Sequence, residues 1–251
     1  MCGISGIFNY SNKSVNYRQV IDGLVEIQSK RGPDDSGVWI SDCKKILFGH
    51  NRLSIIDLSK SGSQPMVSHD KRYVITFNGE IYNYKEIKTV LINLGVKFKS
   101  NTDTEVLIES YKYWGIEFLN KVRGMYAFAI WDTVKKNLFL ARDPFGIKPL
   151  YYTNKDNVYY FASEVKAIIS IKSLSFKKSL KGLMNFYKWG NMQDPYTMFE
   201  NIYSLEAGSY KIIDYEGNVK NGKFANIKSA IINSKRIDIN NEIDASLYLK
   251  D

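Results

Sequence analysis

Cysteine and histidine are scarce in this sequence: the 251 residues include only Cys2, Cys43, His50 and His69. Two cysteines are too few for the disulfide framework that stabilises many small secreted domains. The four residues also lack the sequence spacing that is typical of zinc ligands. The sequence therefore predicts neither a structural disulfide nor a bound metal.

Long apolar runs are missing as well, and their absence argues against membrane-spanning helices. No window of the sequence approaches the ~18 uninterrupted apolar residues that a membrane helix needs. The N-terminus lacks the basic segment followed by an apolar segment that marks a secretory signal. These two absences predict a soluble, cytoplasmic protein with no membrane partner.

Positive charge, by contrast, is in excess, with a formal net charge of +9. The lysines are scattered among Asn, Ile and Tyr residues, whereas a nucleic-acid-binding surface gathers them into a basic stripe. The sequence also contains no recognisable nucleic-acid-binding module. We therefore predict no nucleic-acid partner.

The order of the predicted helices and strands favours an α+β fold. Residues 4–8 form a short apolar run that predicts a buried strand almost at the start of the chain. Residues 125–131 are apolar at both alternating sets of positions, which is typical of a strand covered on both faces. Predicted strands occur in groups with pairs of helices between them, and the regular β–α alternation of a doubly wound sheet is missing. This order favours a layered sandwich.

Two of the predicted helices have recognisable ends. Thr102 and Glu105 have the spacing of a capping box at the start of one helix. Gly95 and Gly115 follow apolar helical stripes and predict where these helices end.

Cys2 follows Met1 directly, and at this position one residue could supply both a nucleophile and a base. Removal of Met1, which is common before a small residue, would leave Cys2 with both a thiol and a free α-amine. An α-amine with a pKa of ~7.7 to 8 is a competent base at neutral pH without a histidine. Direct proton transfer from the thiol to this amine would close a strained ring, so we expect a bridging water. Taken alone, however, Cys2 is better explained as a buried, inert cysteine.

Further motifs occur in one order along the chain. They are Cys-Gly-Ile-Ser-Gly at 2–6, Arg-Gly-Pro-Asp-Asp-Ser-Gly at 31–37, His-Asn-Arg-Leu-Ser-Ile-Ile-Asp at 50–57, Asn-Gly-Glu-Ile-Tyr-Asn at 78–83, Thr-Asp-Thr-Glu at 102–105 and Ala-Arg-Asp-Pro-Phe-Gly-Ile-Lys-Pro-Leu-Tyr at 141–151. At these positions the sequence resembles the class II glutamine amidotransferases. The resemblance implies the four-layer αββα sandwich of the N-terminal-nucleophile hydrolases, and the combination is far more specific than any single motif.

Within that class the sequence looks like the asparagine synthetase branch. The Pro-Asp pair after Arg31, the segment 80–83 and the stretch 142–151 support this branch. Lys30 departs from the family, which usually has His there, but this position is not among those that hold glutamine. The resemblance implies a glutaminase domain over 2–215, which supplies ammonia for asparagine synthesis. It also implies a linker and the start of a missing synthetase domain over 216–251.

The resemblance also implies a pocket for the charged groups of glutamine. Arg52 would hold the α-carboxylate through its planar two-donor fork. Asp103 and Glu80 would accept the α-ammonium. The alternative for each of these acids is a carboxylate that caps the start of a helix.

The reactive amide of glutamine needs a separate site. The resemblance implies that Cys2 is the nucleophile and that Asn78 and Gly79, after a strand, donate N–H groups to the tetrahedral intermediate. The backbone of Ile56 would complete the pocket, while Ser54 orders its loop. By themselves, Asn78 and Gly79 are better explained as an Asn-Gly hairpin turn.

Four other side chains in the motifs have no catalytic task in this interpretation. Gly and Pro flank Arg31, Arg142, Asp143 and Lys148, and such flanks are typical of tight loops. We therefore predict that these four residues lock loops. Cys43 is predicted to be inert.

Glutamine hydrolysis as implied here needs no metal or organic cofactor, because Cys2 supplies both nucleophile and base. ATP and Mg²⁺ are expected only for the missing synthetase domain or subunit, which is the expected partner. The chain lacks the Ser-Gly-Gly-x-Asp-Ser pyrophosphate loop of such a domain. Ile239, Ile243 and Leu247 begin a helical stripe that we interpret as the entrance to this domain; the alternative is a terminal helix on the glutaminase core.

Other functions remain open at this point. A glutaminase domain could serve another amide-forming acceptor, or the same fold could be a non-catalytic binding module. A hydrolase of the Cys-His type would need His50 or His69 near Cys2 or Cys43.

Overall fold

The computed structural model describes residues 1–233, except 12, 14, 57 and 58. In this part of the chain, two six-stranded antiparallel sheets face each other. No helix among these residues is both long and apolar enough to cross a membrane. The predicted stripe at Ile239, Ile243 and Leu247 lies outside the described residues.

The first sheet is built around the N-terminal strand. In spatial order, with strands numbered along the chain, it contains β10 (Tyr203–Ser204), β8 (Tyr151–Lys155), β9 (Val158–Ala162), β1 (Gly3–Asn9), β3 (Ile46–Arg52) and β2 (Asp35–Ile40). β1 pairs with β3 on one side and with β9 on the other. Cys2 therefore directly precedes a central strand, which fixes the start of the chain.

The second sheet contains the strand that is apolar on both faces. In spatial order it contains β12 (Val219–Lys223), β11 (Ser209–Ile213), β7 (Asn137–Arg142), β6 (Gly124–Asp132), β5 (Tyr73–Ile81) and β4 (Met66–Val67). β6 alternates as predicted. Ala127, Ala129 and Trp131 pack between the sheets, whereas Tyr126, Phe128 and Ile130 pack towards the helices.

Helices cover the outer face of each sheet. α1 (Arg18–Ile27) and α4 (Val165–Ile169) pack on the first sheet, and α2 (Tyr84–Asn93) and α3 (Asp103–Trp114) pack on the second. A third apolar cluster fills the space between the sheets. The predicted α+β fold, a four-layer αββα sandwich, is confirmed. α5 (Leu180–Trp189) and α6 (Ile227–Asn233) follow later in the chain.

The predicted helix ends are confirmed, although the capping box is only half formed. Thr102 Oγ1 accepts a hydrogen bond from the backbone N–H of Glu105 at 3.2 Å. The Glu105 carboxylate instead accepts from the N–H groups of Lys99 and Ser100, which tie the preceding loop to the helix. Gly95 and Gly115 follow their helices with φ of +89° and +59°, a region that favours glycine.

β11 and β12 have no counterpart among the predicted strands. β12 pairs with β11 along its whole length and forms one edge of the second sheet. Its sequence, Val-Lys-Asn-Gly-Lys, is polar because an edge strand on the surface buries little. The predicted division near residue 215 stays a prediction, and β12 lies beyond it.

Candidate active site

The predicted site residues come together at one end of the space between the sheets. Cys2 precedes β1, Arg52 ends β3, and Asp103 begins α3. Because alternate residues of a strand share a face, Asn78 and Glu80 of β5 lie on the same face. One cavity is lined by all seven predicted residues, namely Cys2, Arg52, Ile56, Asn78, Gly79, Glu80 and Asp103.

The thiol of Cys2 is held by the backbone of Leu53. Leu53 N–H lies 3.4 Å from Cys2 Sγ, and the thiol donates to the Leu53 carbonyl at 3.7 Å. Burial raises the pKa of the Cys2 thiol, whereas the Leu53 N–H lowers it because it donates to the charged sulfur. Arg31 Nε donates to the Cys2 carbonyl at 3.0 Å, so the position of the thiol is fixed from two directions.

Asn78 and Gly79 lie inside a strand, and this corrects their predicted placement after one. They belong to β5 and pair with Ala127 and Tyr126 of β6, so they do not form a hairpin turn. A Cβ atom on Gly79 would lie 2.4 Å from the Met125 carbonyl oxygen. This position therefore admits only glycine without a shift of the backbone.

The structure leaves the Asn78 amide without an acceptor. Asn78 is 1 % exposed, and its Nδ2 has no hydrogen-bond partner among the described residues. A buried donor that lacks an acceptor is destabilising unless a ligand supplies one. Asn78 lines the same cavity as Cys2, so an oxygen that develops negative charge there would satisfy this donor.

The backbone N–H of Gly79 points towards the edge of the second sheet. The N–H groups of Phe77 and Ile81 donate to side chains outside the ladder, Gln64 Oε1 and Asp103 Oδ2. Alternate residues of a strand direct their N–H groups to the same side. Gly79 therefore directs its N–H away from β6, between these two bonds, where it borders the cavity.

Asp103 is a buried carboxylate that bonds both to β5 and to the first turn of α3, where its own backbone N–H and that of Thr104 donate to it. Thr102 is the N-cap residue, while Asp103 Oδ2 accepts from Ile81 N–H at 3.0 Å. Burial raises the pKa of Asp103 to about 6, and the negative charge of Glu80 acts in the same direction. A bound cation would relieve this cost, so the pair is suited to an ammonium group.

The motif at 31–37 packs against the end of β3, where Arg52 lies, and forms hydrogen bonds with it. A Cβ atom on Gly32 would lie 2.4 Å from the carbonyl carbon and oxygen of Asn51. Asp34 N–H donates to the Arg52 carbonyl at 3.0 Å, and Asp34 Oδ2 accepts from Ser54 N–H at 2.7 Å. Arg52 is buried and its Nη1 donates to the Ser59 carbonyl at 2.9 Å. The guanidinium is thus positioned at the cavity.

The loop after β7 is locked by two charged residues, as predicted. Asp143 accepts backbone N–H bonds from Tyr126, Phe145, Ile147 and Lys148. Arg142 donates from its guanidinium to carbonyl oxygens on both sides, including those of Gly146, Lys148 and Leu205. Lys148 differs from the prediction, because its backbone is locked but its side chain lines the Cys2 cavity.

The two histidines lie apart from the Cys2 cavity. His50 is fully buried and its Nε2 lies 3.1 Å from the Phe77 carbonyl, a bond between the two sheets. Burial lowers the pKa of His50 to about 4, so the ring is neutral at physiological pH. His69 and Cys43 line a larger cavity of 910 Å³, where Cys43 Sγ lies 3.3 Å from Ser41 Oγ. Across the described part of the chain, no hydrogen bond joins a histidine to a cysteine.

Two residues at the site had no sequence signal. Gln64 accepts from Phe77 N–H at 2.7 Å and donates to Thr104 Oγ1 at 3.3 Å, so it joins β5 to α3 beside the cavity. Leu53 acts through its backbone, which sequence patterns do not reveal. In the same described residues, no group of three or more His, Cys, Asp or Glu side chains is arranged to hold a metal ion.

Comparison with known proteins identifies the family of this chain. The family profile of the glutamine amidotransferase domain matches residues 1–224. The chain belongs to this family. The Bacillus subtilis glutamine phosphoribosylpyrophosphate amidotransferase, solved with ADP and GMP, aligns with a TM-score of 0.66 at 23% identity, over 89% of this chain and 49% of that chain. At this identity the likeness shows the fold alone.

Curated relatives of this glutamine amidotransferase domain are longer proteins. Asparagine synthetase [glutamine-hydrolyzing] 3 of Bacillus subtilis is 38% identical over 205 residues, which are 80% of this chain and 33% of the relative. Amidase chry2 of Gibberella zeae is 37% identical over 223 residues, which are 84% of this chain and 32% of the relative. The chain thus spans about a third of the length of these relatives.

Proposed function

We propose that this amidotransferase domain hydrolyses glutamine to glutamate and ammonia, with Cys2 as the nucleophile and its own α-amine as the base. The observation that supports this most strongly is the buried Asn78 amide, whose Nδ2 has no partner among the described residues and which lines the cavity of the thiol. An oxyanion site needs such a pre-positioned donor close to a nucleophile.

The proposed reaction begins with glutamine held by its charged ends. Arg52 binds the α-carboxylate, and Asp103 with Glu80 binds the α-ammonium. The thiol proton moves through a water to the α-amine, Sγ bonds to the amide carbon, and Asn78 Nδ2 with the Gly79 N–H stabilises the oxyanion. The amine then protonates the leaving nitrogen as the C–N bond breaks. Water hydrolyses the thioester that remains, and glutamate is released.

Removal of Met1 has two roles in this proposal. It frees the α-amine of Cys2, and it takes away a side chain that lines the same cavity. Both effects require that Cys2 becomes the first residue before the domain is active.

A fusion protein tests this requirement directly. A partner is joined immediately before Cys2, with a protease site whose cleavage leaves Cys2 first, and glutamate release is followed before and after cleavage. We expect activity only after cleavage, in proportion to the fraction that intact mass shows to be processed. A fusion that is fully active before cleavage would falsify the terminal-amine mechanism.

We further propose that the ammonia serves asparagine synthesis by an ATP-dependent synthetase domain or subunit. The asparagine synthetase relatives support this acceptor. The purified chain is given glutamine, aspartate, Mg²⁺ and ATP, and glutamate, asparagine and pyrophosphate are measured separately. We expect glutamate alone; asparagine formed together with pyrophosphate would contradict this division.

A further inference from the structure

Lys148 is a buried cation in the Cys2 cavity that the proposed mechanism does not use. It is 6 % exposed and lines the cavity together with Cys2 and Glu80. Its backbone is fixed by a bond from Lys148 N–H to Asp143 Oδ2 and by a bond from Arg142 Nε to the Lys148 carbonyl. In the described part of the chain, no side chain or carbonyl is hydrogen-bonded or ion-paired to Lys148 Nζ.

Hydrogen bonds with the side chains of Arg142 and Asp143 fix the loop that holds Lys148. Its backbone bonds to Arg142 and Asp143 fix the base of the lysine side chain, and the residue lines the same cavity as Cys2. An ammonium in a narrow cavity with few waters is attracted to the anions that line it. The anions available in the cavity are Glu80, Asp103 and the thiolate form of Cys2. Of these, the thiolate and Glu80 are the anions whose charges act on Lys148.

We propose that the ammonium of Lys148 stabilises the thiolate of Cys2 and thereby makes it a better nucleophile. The inference rests on the proposed role of Cys2. Lys148 is a positioning residue: it keeps its proton throughout, and the thiol proton still moves through water to the α-amine.

The charge of Cys2 acts on Lys148, while the N-terminal amine and Arg52 are further cations that lower the pKa of the Cys2 thiol. Burial lowers the pKa of Lys148, whereas the charges of Cys2 and Glu80 raise it. A cation close to a buried thiol favours the charged form of the sulfur. The charged groups that face the pair come from several elements of the fold: the chain terminus, Arg31, Asp34, Arg52, Glu80, Asp103 and Asp143.

The reactivity of the thiol tests the proposal without requiring turnover. The rate of Cys2 alkylation by iodoacetamide is measured against pH in processed protein that carries Cys43→Ser. In Lys148→Met we expect the midpoint of the profile to rise by about one pH unit, which slows alkylation at pH 7 about tenfold. Lys148→Arg keeps the charge and should restore the parental midpoint.

Lys211 provides a matched control. It is a half-buried lysine whose pKa burial also lowers, but its Nζ donates to Asn221 on the adjacent strand. Lys211→Met should leave the alkylation midpoint unchanged. Lys148→Gln is a second neutral variant, used if the methionine variant fails to fold by circular dichroism.

Glutamine kinetics separate the inference from the proposed function. A parental alkylation midpoint in folded Lys148→Met or Lys148→Gln would overturn the inference, even if KM for glutamine rises because Glu80 loses a nearby positive charge. A shifted midpoint supports the inference, and the pH profile of kcat/KM should shift in parallel. If the midpoint shifts but the parent releases no glutamate, the proposed function fails while the effect of Lys148 on the thiol stands.

Discussion

The two cysteines of this molecule lie in two cavities that differ in almost every property except the presence of a thiol. The cavity around Cys43 is large, 910 Å³, and aromatic side chains such as Trp39, Trp131 and Tyr215 line it. The cavity around Cys2 is narrower, and buried charges and backbone N–H groups surround the thiol. Cys43 itself is exposed, whereas Cys2 is partly buried.

The difference between the two cavities shows that the state of the polar groups, rather than the volume, indicates a catalytic site. Volume alone favours the Cys43 cavity, but no strongly shifted acid or unsatisfied buried donor surrounds its thiol among the described residues. The Cys2 cavity contains the unsatisfied Asn78 amide and Asp103, whose pKa burial raises to about 6. Unsatisfied buried donors and carboxyls with a raised pKa destabilise the folded protein. They are typical of functional sites, because a bound ligand or a transition state supplies the missing hydrogen bond or charge.

The largest expected effect separates the two thiols. Cys2→Ala should lower the rate of glutamate release by more than ~10⁴-fold, since no other group can form the thioester. Cys43→Ser should leave kcat/KM unchanged. Both variants are compared with the parent in a coupled glutamate assay after Met1 removal is verified by mass. Loss of activity in the Cys43 variant would instead favour a site in the larger cavity with His69.

Charged residues of the Cys2 cavity should give the next largest effect. Arg52→Ala and Asp103→Asn should each weaken glutamine binding by about 2 to 5 kcal/mol, as expected when one member of a desolvated charge pair is removed. Calorimetric titration with glutamine in the Cys2→Ala background measures binding without turnover. Binding at the parental affinity would remove that residue from the pocket. Lys71→Ala, in the larger cavity, is the control and should bind glutamine normally.

Asn78 tests whether the unsatisfied donor is an oxyanion site. Asn78→Ala should reduce kcat by ~10²- to 10³-fold while KM changes less, because the amide acts mainly in the transition state. Asn137 is a matched control on β7, since its buried Oδ1 also lacks a partner among the described residues but it does not line this cavity. Asn137→Ala should therefore keep its kcat. A purely structural Asn78 would lower stability and leave the specific activity of the folded fraction normal.

The sequence predicted the layers of the fold better than the details of the site. The double apolar alternation of β6 and the stop signals at Gly95 and Gly115 are local patterns, and each appears in the structure. Asn78 and Gly79 were misplaced because an isolated Asn-Gly pair favours a turn, whereas pairing with β6, far along the chain, holds them in a strand.

Other features were missed because residue patterns do not encode particular hydrogen bonds or the place of a strand in its sheet. The cavity position of Lys148 follows from the bonds of the Arg142 and Asp143 side chains to its backbone, which motif spacing does not encode. The Leu53 N–H that contacts Cys2 Sγ belongs to a segment 51 residues away. β12 is polar because it is an edge strand, so it lacks the apolar alternation by which strands are recognised.

The smallest expected effects compare two buried acids of one helix, Asp103 at the Cys2 cavity and Glu109 at the larger one. Burial raises the pKa of both carboxyls, but Glu109 lies 3.7 Å from Lys112, whose charge opposes the shift. When an acid has a higher pKa folded than unfolded, the folded state binds more protons, so stability falls as pH rises between the two values. For Asp103 this window extends from its usual value of 3.8 to about 6.

Denaturant unfolding at a series of pH values measures these contributions. Relative to Asp103→Asn, the parent should lose about 2 to 3 kcal/mol of unfolding free energy between pH 4 and pH 7, because the uncharged amide does not titrate. The corresponding difference for Glu109→Gln should be smaller, since the charge of Lys112 compensates the ionised carboxylate. Glu109→Gln should also keep the parental kcat/KM. The unfolding free energies of the two variants could instead depend on pH equally. Asp103 would then be no more costly to ionise than Glu109, and there would be no energetic reason to assign it as the binding partner of an ammonium group.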